Sequence, residues 1–217
     1  VSVSLIHITP DYAGKIEFAA RTSTATKCGE TPEEFVKKLV KKEHLSVGRH
    51  CDASFEIVCS RACSHQLVRH THLAYTQESQ RYVEFDFDDG DYANYIIPQT
   101  VANNKNCVLW GHAMTQIRKT YKGLIESGVP KEDARYILPN ACKTRIVVSG
   151  NFQAWWDFIK LRTDKAAQWE IRGIAEEVRD ILLKEAPAFF KPLQEEIENQ
   201  KEYKAWKKEK EVNLKSE

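Results

Sequence analysis

Residues 69–83 read RHTHLAYTQESQRYV. Arg69, His70, His72, Ser79 and Arg81 fall within thirteen residues, separated by amides and hydroxyls and without a Gly or Pro. The segment before it, ASFEIVCSR (53–61), reads as a strand entering a helix. It then passes into RACSHQLVRHTH (61–72), which reads as a helix with Ser60 as its cap. Arg61, His65, Arg69 and His72 stand three and four residues apart there, along one stripe of that expected helix. A strand feeding a helix that ends in a polar run is the unit around which the rest of the chain is read.

Working outward, VSVSLIHITP (1–10) alternates as a strand, and KTRIVVSG (143–150) reads as another, ending at Gly150. TPEEFVKKLVKKEHL (31–45) opens on a capping box: Thr31 as N-cap, Pro32 at the first helical position, Glu34 three residues on. Phe35, Leu39 and the pair Val36/Val40 follow at helical spacing. A long helix is expected over about 103–127, stopped by Gly128 and Pro130, then a short one at KEDARYIL (131–138). FQAWWDFIKLR (152–162) and AAQWEIRGIAEEVRDILLKEA (166–186) read as helices, the second ending before Pro187. VEFDFDDGDY (83–92) alternates and then breaks into an acidic, Gly-containing loop. The last stretch, 194–217, holds six Lys and seven acidic residues, a charged helical tail or frayed end. Strands and helices are interspersed without regular βαβ units, repeats or Gly/Ser linkers. The economical expectation is one α+β domain spanning 1–217.

At 217 residues the chain is long enough to bury a sizeable core. A formal net charge of +1 gives no strong field, so neither a nucleic-acid polymer nor an anionic membrane surface is favoured as a partner. No apolar run approaches the roughly 18 residues of a membrane span. The six cysteines form no C-x-x-C pair, and no secretory leader pattern is read at the N-terminus, so reduced thiols in the cytoplasm are expected.

Five readings of the polar run compete. It is a solvated helix end, a metal site, a serine nucleophile, a phosphate cradle, or a place for a single nucleotide. A metal would draw on Cys59, Cys63, His65, His70 and His72, but no paired spacing organises four ligands, and Arg61 and Arg69 repel a cation. Ser79 has histidines nearby but lacks a Gly-flanked elbow. Arg69, Ser79 and Arg81 have the chemistry of an anion site, since guanidinium groups form charge-assisted, bidentate bonds to phosphate. No P-loop or dinucleotide fingerprint accompanies them. Tyr75 and Tyr82 supply faces on which a base stacks.

Arg69-His70, followed nine residues on by Ser79, resembles the signature of the flavin-dependent thymidylate synthases. AARTS (19–23), HLSVGRH (44–50), HQLVRH (65–70), SQRY (79–82), GVPKEDARYILP (128–139) and LRTDKAAQWEIR (161–172) occur in the family's order and at compatible spacing. The resemblance implies an unusual α+β fold and a homotetramer with FAD bound between subunits. It also implies methylation of dUMP to dTMP, with carbon from 5,10-methylenetetrahydrofolate and hydride from NADPH through FAD. It places Gln66, Arg69, Gln77, Glu78, Ser79, Gln80 and Arg81 at dUMP, with Ser79 and Arg81 on the 5′-phosphate and Arg135 reaching in from another subunit. Ser23, His44, Ser46, Arg69, His70, Thr71, Gln77, Asn151, Phe152, Gln153 and Asp157 fall at the FAD positions. No metal is implied.

Arg162 matches the arginine that activates the uracil ring, where a permanent charge stabilises developing negative charge. Its plainer reading is a cation at a helix C-terminus. The chain departs from the family's commoner residues at Thr71, Ala74, Thr76, Gln77, Gln153, Asp157 and Ala166. Two other classes of function stand beside the enzyme: a nucleotide-binding module without turnover, and a metal-dependent hydrolase.

Overall fold

The computed structural model describes residues 1–25, 29–85 and 94–213. Four strands form one sheet in the order β1-β2-β4-β3: β1 (Ser2–Ile8), β2 (Asp52–Ser60), β3 (Ala74–Gln77) and β4 (Lys143–Asn151). The register of β2 on β4 is antiparallel. Ser54 and Ser149 share a hydrogen bond at 2.8 Å, and Glu56 lies 3.1 Å from Arg145. Alternation sorts the two faces. Ala53, Phe55, Ile57 and Cys59 of β2 and Thr144, Ile146 and Val148 of β4 are buried, whereas Ser54, Glu56, Arg145 and Ser149 are not.

The chain divides into two compact units, 1–4 with 55–148 and 5–54 with 149–217. The boundaries fall inside strands, after Ser4, Ser54 and Val148.

The first unit holds α3 (Arg61–Leu67), β3, a short α4 (Gln99–Ala102), α5 (Cys107–Glu126), and α6 (Lys131–Ala134) running into a 3-10 turn at Arg135–Ile137. Its core gathers Tyr95, Met114, Tyr121, Ala134 and Cys142, flanked by Trp110, Ile117, Leu124 and Leu138. The helix expected over 103–127 begins only at Cys107. Asn104 takes the backbone N–H of Asn106 on its side chain at 2.8 Å, a local turn that competes with helix and separates α4 from α5. Gly128 ends α5 as expected, in a left-handed conformation (φ 88°) that turns the chain so that the Val129 N–H reaches Leu124 O at 3.0 Å.

The second unit contains α1 (Tyr12–Thr22), α2 (Pro32–Lys41), a 3-10 helix (Leu45–His50), α7 (Phe152–Arg162), α8 (Trp169–Glu185) and α9 (Pro187–Asn213). The capping box of α2 forms in both directions, Thr31 and Glu34 each accepting the other's N–H at 3.3 Å. Helix α1 was not expected from the sequence; Asp11 caps it by accepting the Gly14 N–H at 3.2 Å. Helix α8 starts at Trp169, not Ala166, because the Gln168 side chain accepts from the N–H groups of Glu170 and Ile171 and fixes the first turn there. The charged tail is the far part of a helix that begins at Pro187, whose Phe189, Phe190, Leu193 and Ile197 are buried. The alternating segment 83–92 lies outside the described residues from 86 onward, and 83–85 form no strand. Cys28 also lies outside them, and the five described cysteines are free thiols.

The backbone of Gly48 packs against the aromatic cluster of Phe152, Phe189 and Phe190, whose ring centroids lie 5.1 to 5.4 Å apart. A Cβ at position 48 would stand 2.4 Å from Phe189 Cζ and 3.3 Å from Phe152 Cβ. Neither ring has free space into which to move. Gly48→Ala is therefore expected to lose about 1–3 kcal/mol of stability, read as a lowered urea midpoint at unchanged slope. An unshifted midpoint would contradict this packing.

Candidate functional site

The polar run begins where α3 is anchored. Ser60 Oγ accepts the Cys63 N–H at 3.0 Å, and the N–H groups of Arg61 and Ala62 donate to Cys142 O and Asn140 O at 2.9 and 3.0 Å. The first-turn donors of α3 are thus satisfied and tied to the turn leading into β4. The helix stops at Leu67 and does not continue to His72 as the sequence reading has it. Tyr75 supplies a physical reason: its hydroxyl lies 2.7 Å from Leu67 O and 2.9 Å from His70 O, taking up carbonyls that a longer helix would use. Burial pushes the Tyr75 phenol well above its ordinary value, so it remains a donor throughout the neutral range. Arg69 and His72 consequently leave the helical stripe of Arg61 and His65 and stand on an exposed turn, beside Thr71 and the half-buried His70.

Strand β3 then turns Tyr75 and Gln77 inward and leaves Ala74 and Thr76 exposed. The Gln77 amide donates to Ser64 Oγ and to Thr144 Oγ1, both at 3.0 Å, and both of those residues are buried. Gln77 is thus fixed between α3 and β4. Beyond it the Glu78 N–H donates to Arg145 O at 2.9 Å. Ser79 opens a turn: its Oγ accepts the Arg81 N–H at 3.2 Å, and its carbonyl accepts from Tyr82 and Val83 at 3.1 and 2.9 Å.

Arg81 directs Nε and Nη2 to Glu132 Oε2, each at 2.9 Å. Arg135 Nε donates to Glu132 O at 3.0 Å. Two arginines from the sequence-expected nucleotide set therefore contact Glu132, Arg81 at its carboxylate and Arg135 at its backbone carbonyl. Gln66 is half-buried on the last turn of α3. Beside this loop a cleft is lined by Val58, Glu78, Lys143, Thr144 and Arg145.

The second unit carries the remaining expected residues. His44 and Ser46 are exposed at the start of the 3-10 helix, and Arg49 of that helix donates from Nε to Gln153 Oε1 at 2.7 Å. Asn151 caps α7 by accepting the Ala154 N–H at 2.9 Å. The Phe152 side chain is fully buried beside Tyr12, Phe189 and Phe190, and its N–H donates to Cys51 O at 2.9 Å. Ser23 ends α1, its hydroxyl donating to Ala20 O at 2.8 Å. Asp157 is exposed on α7, and Arg162 is the half-buried last residue of that helix. Ala166 lies in the turn between α7 and α8.

The sequence reading missed the residues that hold the loop from below: Ser64, Thr144 and, as a contact of the loop, Arg61. Only Arg61 carried a signal, a cation at the N-terminus of a capped helix. Among the described residues no three His, Cys, Asp or Glu gather as a metal-binding group, and no helix is long and apolar enough to cross a membrane.

Residues 4–188 match the sequence profile of the family described as thymidylate synthase complementing protein. A flavin-dependent thymidylate synthase of Geobacter sulfurreducens is 37% identical over 202 residues, covering 88% of this chain and 86% of that one. Its counterpart in Saccharolobus solfataricus is 36% identical over 201 residues, covering 88% and 76%. That of Pyrococcus furiosus is 39% identical over 145 residues, covering 66% and 59%.

Tyr75→Phe removes a donor shared by two carbonyls that keep the N–H groups of His70 and Leu73, and is expected to cost roughly 0.5–1.5 kcal/mol in chemical denaturation. The hydroxyl stays protonated through neutrality, so this loss should be the same at pH 6 and pH 8. Equal stability of the two proteins would show that the turn at 68–73 does not depend on it.

Proposed function

Because the chain belongs to the thymidylate synthase complementing protein family, we propose that it is a flavin-dependent thymidylate synthase. It methylates dUMP to dTMP, taking carbon from 5,10-methylenetetrahydrofolate and reducing equivalents from NADPH through FAD. The observation that carries the reading is the pair Ser79 and Arg81, set on a loop whose root is fixed by Gln77. A guanidinium group and a hydroxyl suit a phosphate dianion, with a second guanidinium, that of Arg135, coming from a neighbouring subunit. The Arg81–Glu132 pair is about half exposed on both sides, so exchanging that carboxylate for a phosphate has a small cost, roughly 0–1 kcal/mol. Ser79 is thereby a ligand, and its hydroxyl is engaged by a backbone N–H in place of a base.

In this reading Gln66, Arg69, Gln77, Glu78 and Gln80 complete the nucleotide site. The FAD set comprises Arg69, His70, Thr71, Gln77, Ser23, His44, Ser46, Asn151, Phe152, Gln153 and Asp157. The exposed donors His44 and Ser46 and the Arg49–Gln153 pair have the chemistry that a diphosphate and a polar ring edge need. Phe152 contributes by locking the N-terminus of α7 in the core, which holds Asn151 and Gln153 in place. When bound, the flavin supplies hydride transfer; orientation and electrostatics fall to the protein. Arg162 presents a permanently charged, planar donor group to the uracil edge and stabilises negative charge as it develops on the ring.

The two units act as one catalytic domain over 1–217, assembled as a homotetramer in the cytoplasm, with Arg135 supplied to the site of a neighbouring subunit. Exposed large side chains support association: Phe18 is 78% exposed, Leu109 67% and Tyr136 83%.

Purified chain given dUMP, methylenetetrahydrofolate, NADPH and FAD should form dTMP and release the C5 hydrogen of dUMP. Neither event, with every component present, would refute the reading. Arg162→Lys separates activation from helix capping. Removing a preorganised donor typically costs on the order of 100- to 1,000-fold in turnover. A cation exchanged for another at a helix end costs at most a few tenths of a kcal/mol, within the roughly 0.3–1 kcal/mol that such charges contribute. Turnover at saturating dUMP is expected to fall by about two orders of magnitude or more, with FAD retained. Unchanged turnover would leave Arg162 a structural residue.

A further inference from the structure

Arg61 stands where stability alone would not put it. It is the first residue of α3, at the positive end of a helix, where a cation is disfavoured. The positive charge of Arg135 acts on it as well, and burial adds to the penalty; together these lower its pKa, burial being the largest cause. A guanidinium nevertheless remains charged under these conditions. Its contacts define what it holds. Nη1 donates to Glu78 O and Thr144 Oγ1, both at 3.4 Å, and Nη2 donates to Gln80 Oε1 at 3.2 Å. Glu78 and Gln80 flank Ser79, and Thr144 is also the acceptor of Gln77. One side chain therefore bridges the root of the loop and both neighbours of the serine.

We propose that Arg61 is the positioning residue of the nucleotide loop. Its fork fixes residues 78 and 80 so that Ser79 and Arg81 present their donors to the 5′-phosphate of dUMP, and its charge strengthens the field there. This rests on the functional reading above and deepens it, since no sequence motif assigned Arg61 to the site. The role is preorganisation: donors already held in place lose less freedom when the ligand arrives.

The test measures binding of dUMP and of deoxyuridine, which lacks the phosphate, to the FAD-loaded protein and to its Arg61→Ala and Arg61→Lys variants. Arg61→Ala is expected to weaken dUMP ten- to a hundredfold, to change deoxyuridine less than threefold and to leave FAD binding intact. KM for dUMP should rise more than kcat falls. Arg61→Lys keeps the charge but not the fork, and should recover only part of the loss. Gln80→Ala should weaken dUMP severalfold, and combining it with Arg61→Ala should add less than the product of the two effects.

Unchanged dUMP affinity in Arg61→Ala overturns the proposal, as does equal weakening of dUMP, deoxyuridine and FAD, which marks a purely structural role. If Arg61→Ala does not fold, Arg61→Lys with wild-type dUMP affinity overturns it instead. Failure of the unaltered chain to bind dUMP overturns the functional reading, and this inference with it.

Discussion

The amide of Gln77, donating at 3.0 Å to Ser64 on α3 and to Thr144 on β4, joins residues 13 and 67 positions away in sequence. Both acceptors are buried, so the bonds form out of reach of competing water. Ser64 Oγ donates in turn to Arg61 O at 3.0 Å, giving each hydroxyl in the chain of contacts a defined role. Truncating Gln77 would take the donor from Ser64 Oγ, leave Thr144 Oγ1 with the longer bond from Arg61, and release the strand from which residues 78–81 project. The loop 78–81 has few apolar anchors; its geometry is borrowed from this buried junction.

That arrangement places cations together without neutralising them deep in the protein. Arg81 pairs with the Glu132 carboxylate at the surface, where an ion pair has little net strength and is readily exchanged. Arg61 lies further in and is held by neutral acceptors, a carbonyl, a hydroxyl and an amide oxygen. In the proposed function this difference matters. Arg81 is available to an arriving phosphate, while Arg61 maintains the loop. The net charge of +1 for the whole chain is compatible with such a site, because the positive potential comes from local placement and not from total charge.

Much of this was legible in the sequence where local chemistry decides structure. The capping box at Thr31 and Glu34, the stop at Gly128, the strands at 53–60 and 143–150 and the Ser60 cap are all short-range signals, and each appears as expected. The expected end of α3 at His72 missed because the tyrosine that takes its carbonyls lies eight residues beyond the last helical one. Strand β3 has only four residues, two of them inward-facing, too few to carry a period. Helix α1 had a readable cap in Asp11, but only Ala13, Ile16 and Glu17 of it are buried, a weak apolar stripe. At the site, the polar residues were conspicuous by composition. Thr144 was not, because it reads as an ordinary strand residue until the fold sets it beneath Gln77. Resemblance to a family supplied roles for the site residues; contacts of the loop with α3 and β4 became visible only in three dimensions.

The most direct test is a crystal structure of the chain with dUMP bound. The account predicts the 5′-phosphate within hydrogen-bond distance of the Ser79 hydroxyl and the Arg81 guanidinium, with Arg81 drawn from Glu132 and Gln77 still bonded to Ser64 and Thr144. A phosphate seated away from residues 77–81, or a covalent bond between Ser79 and the nucleotide, would contradict it.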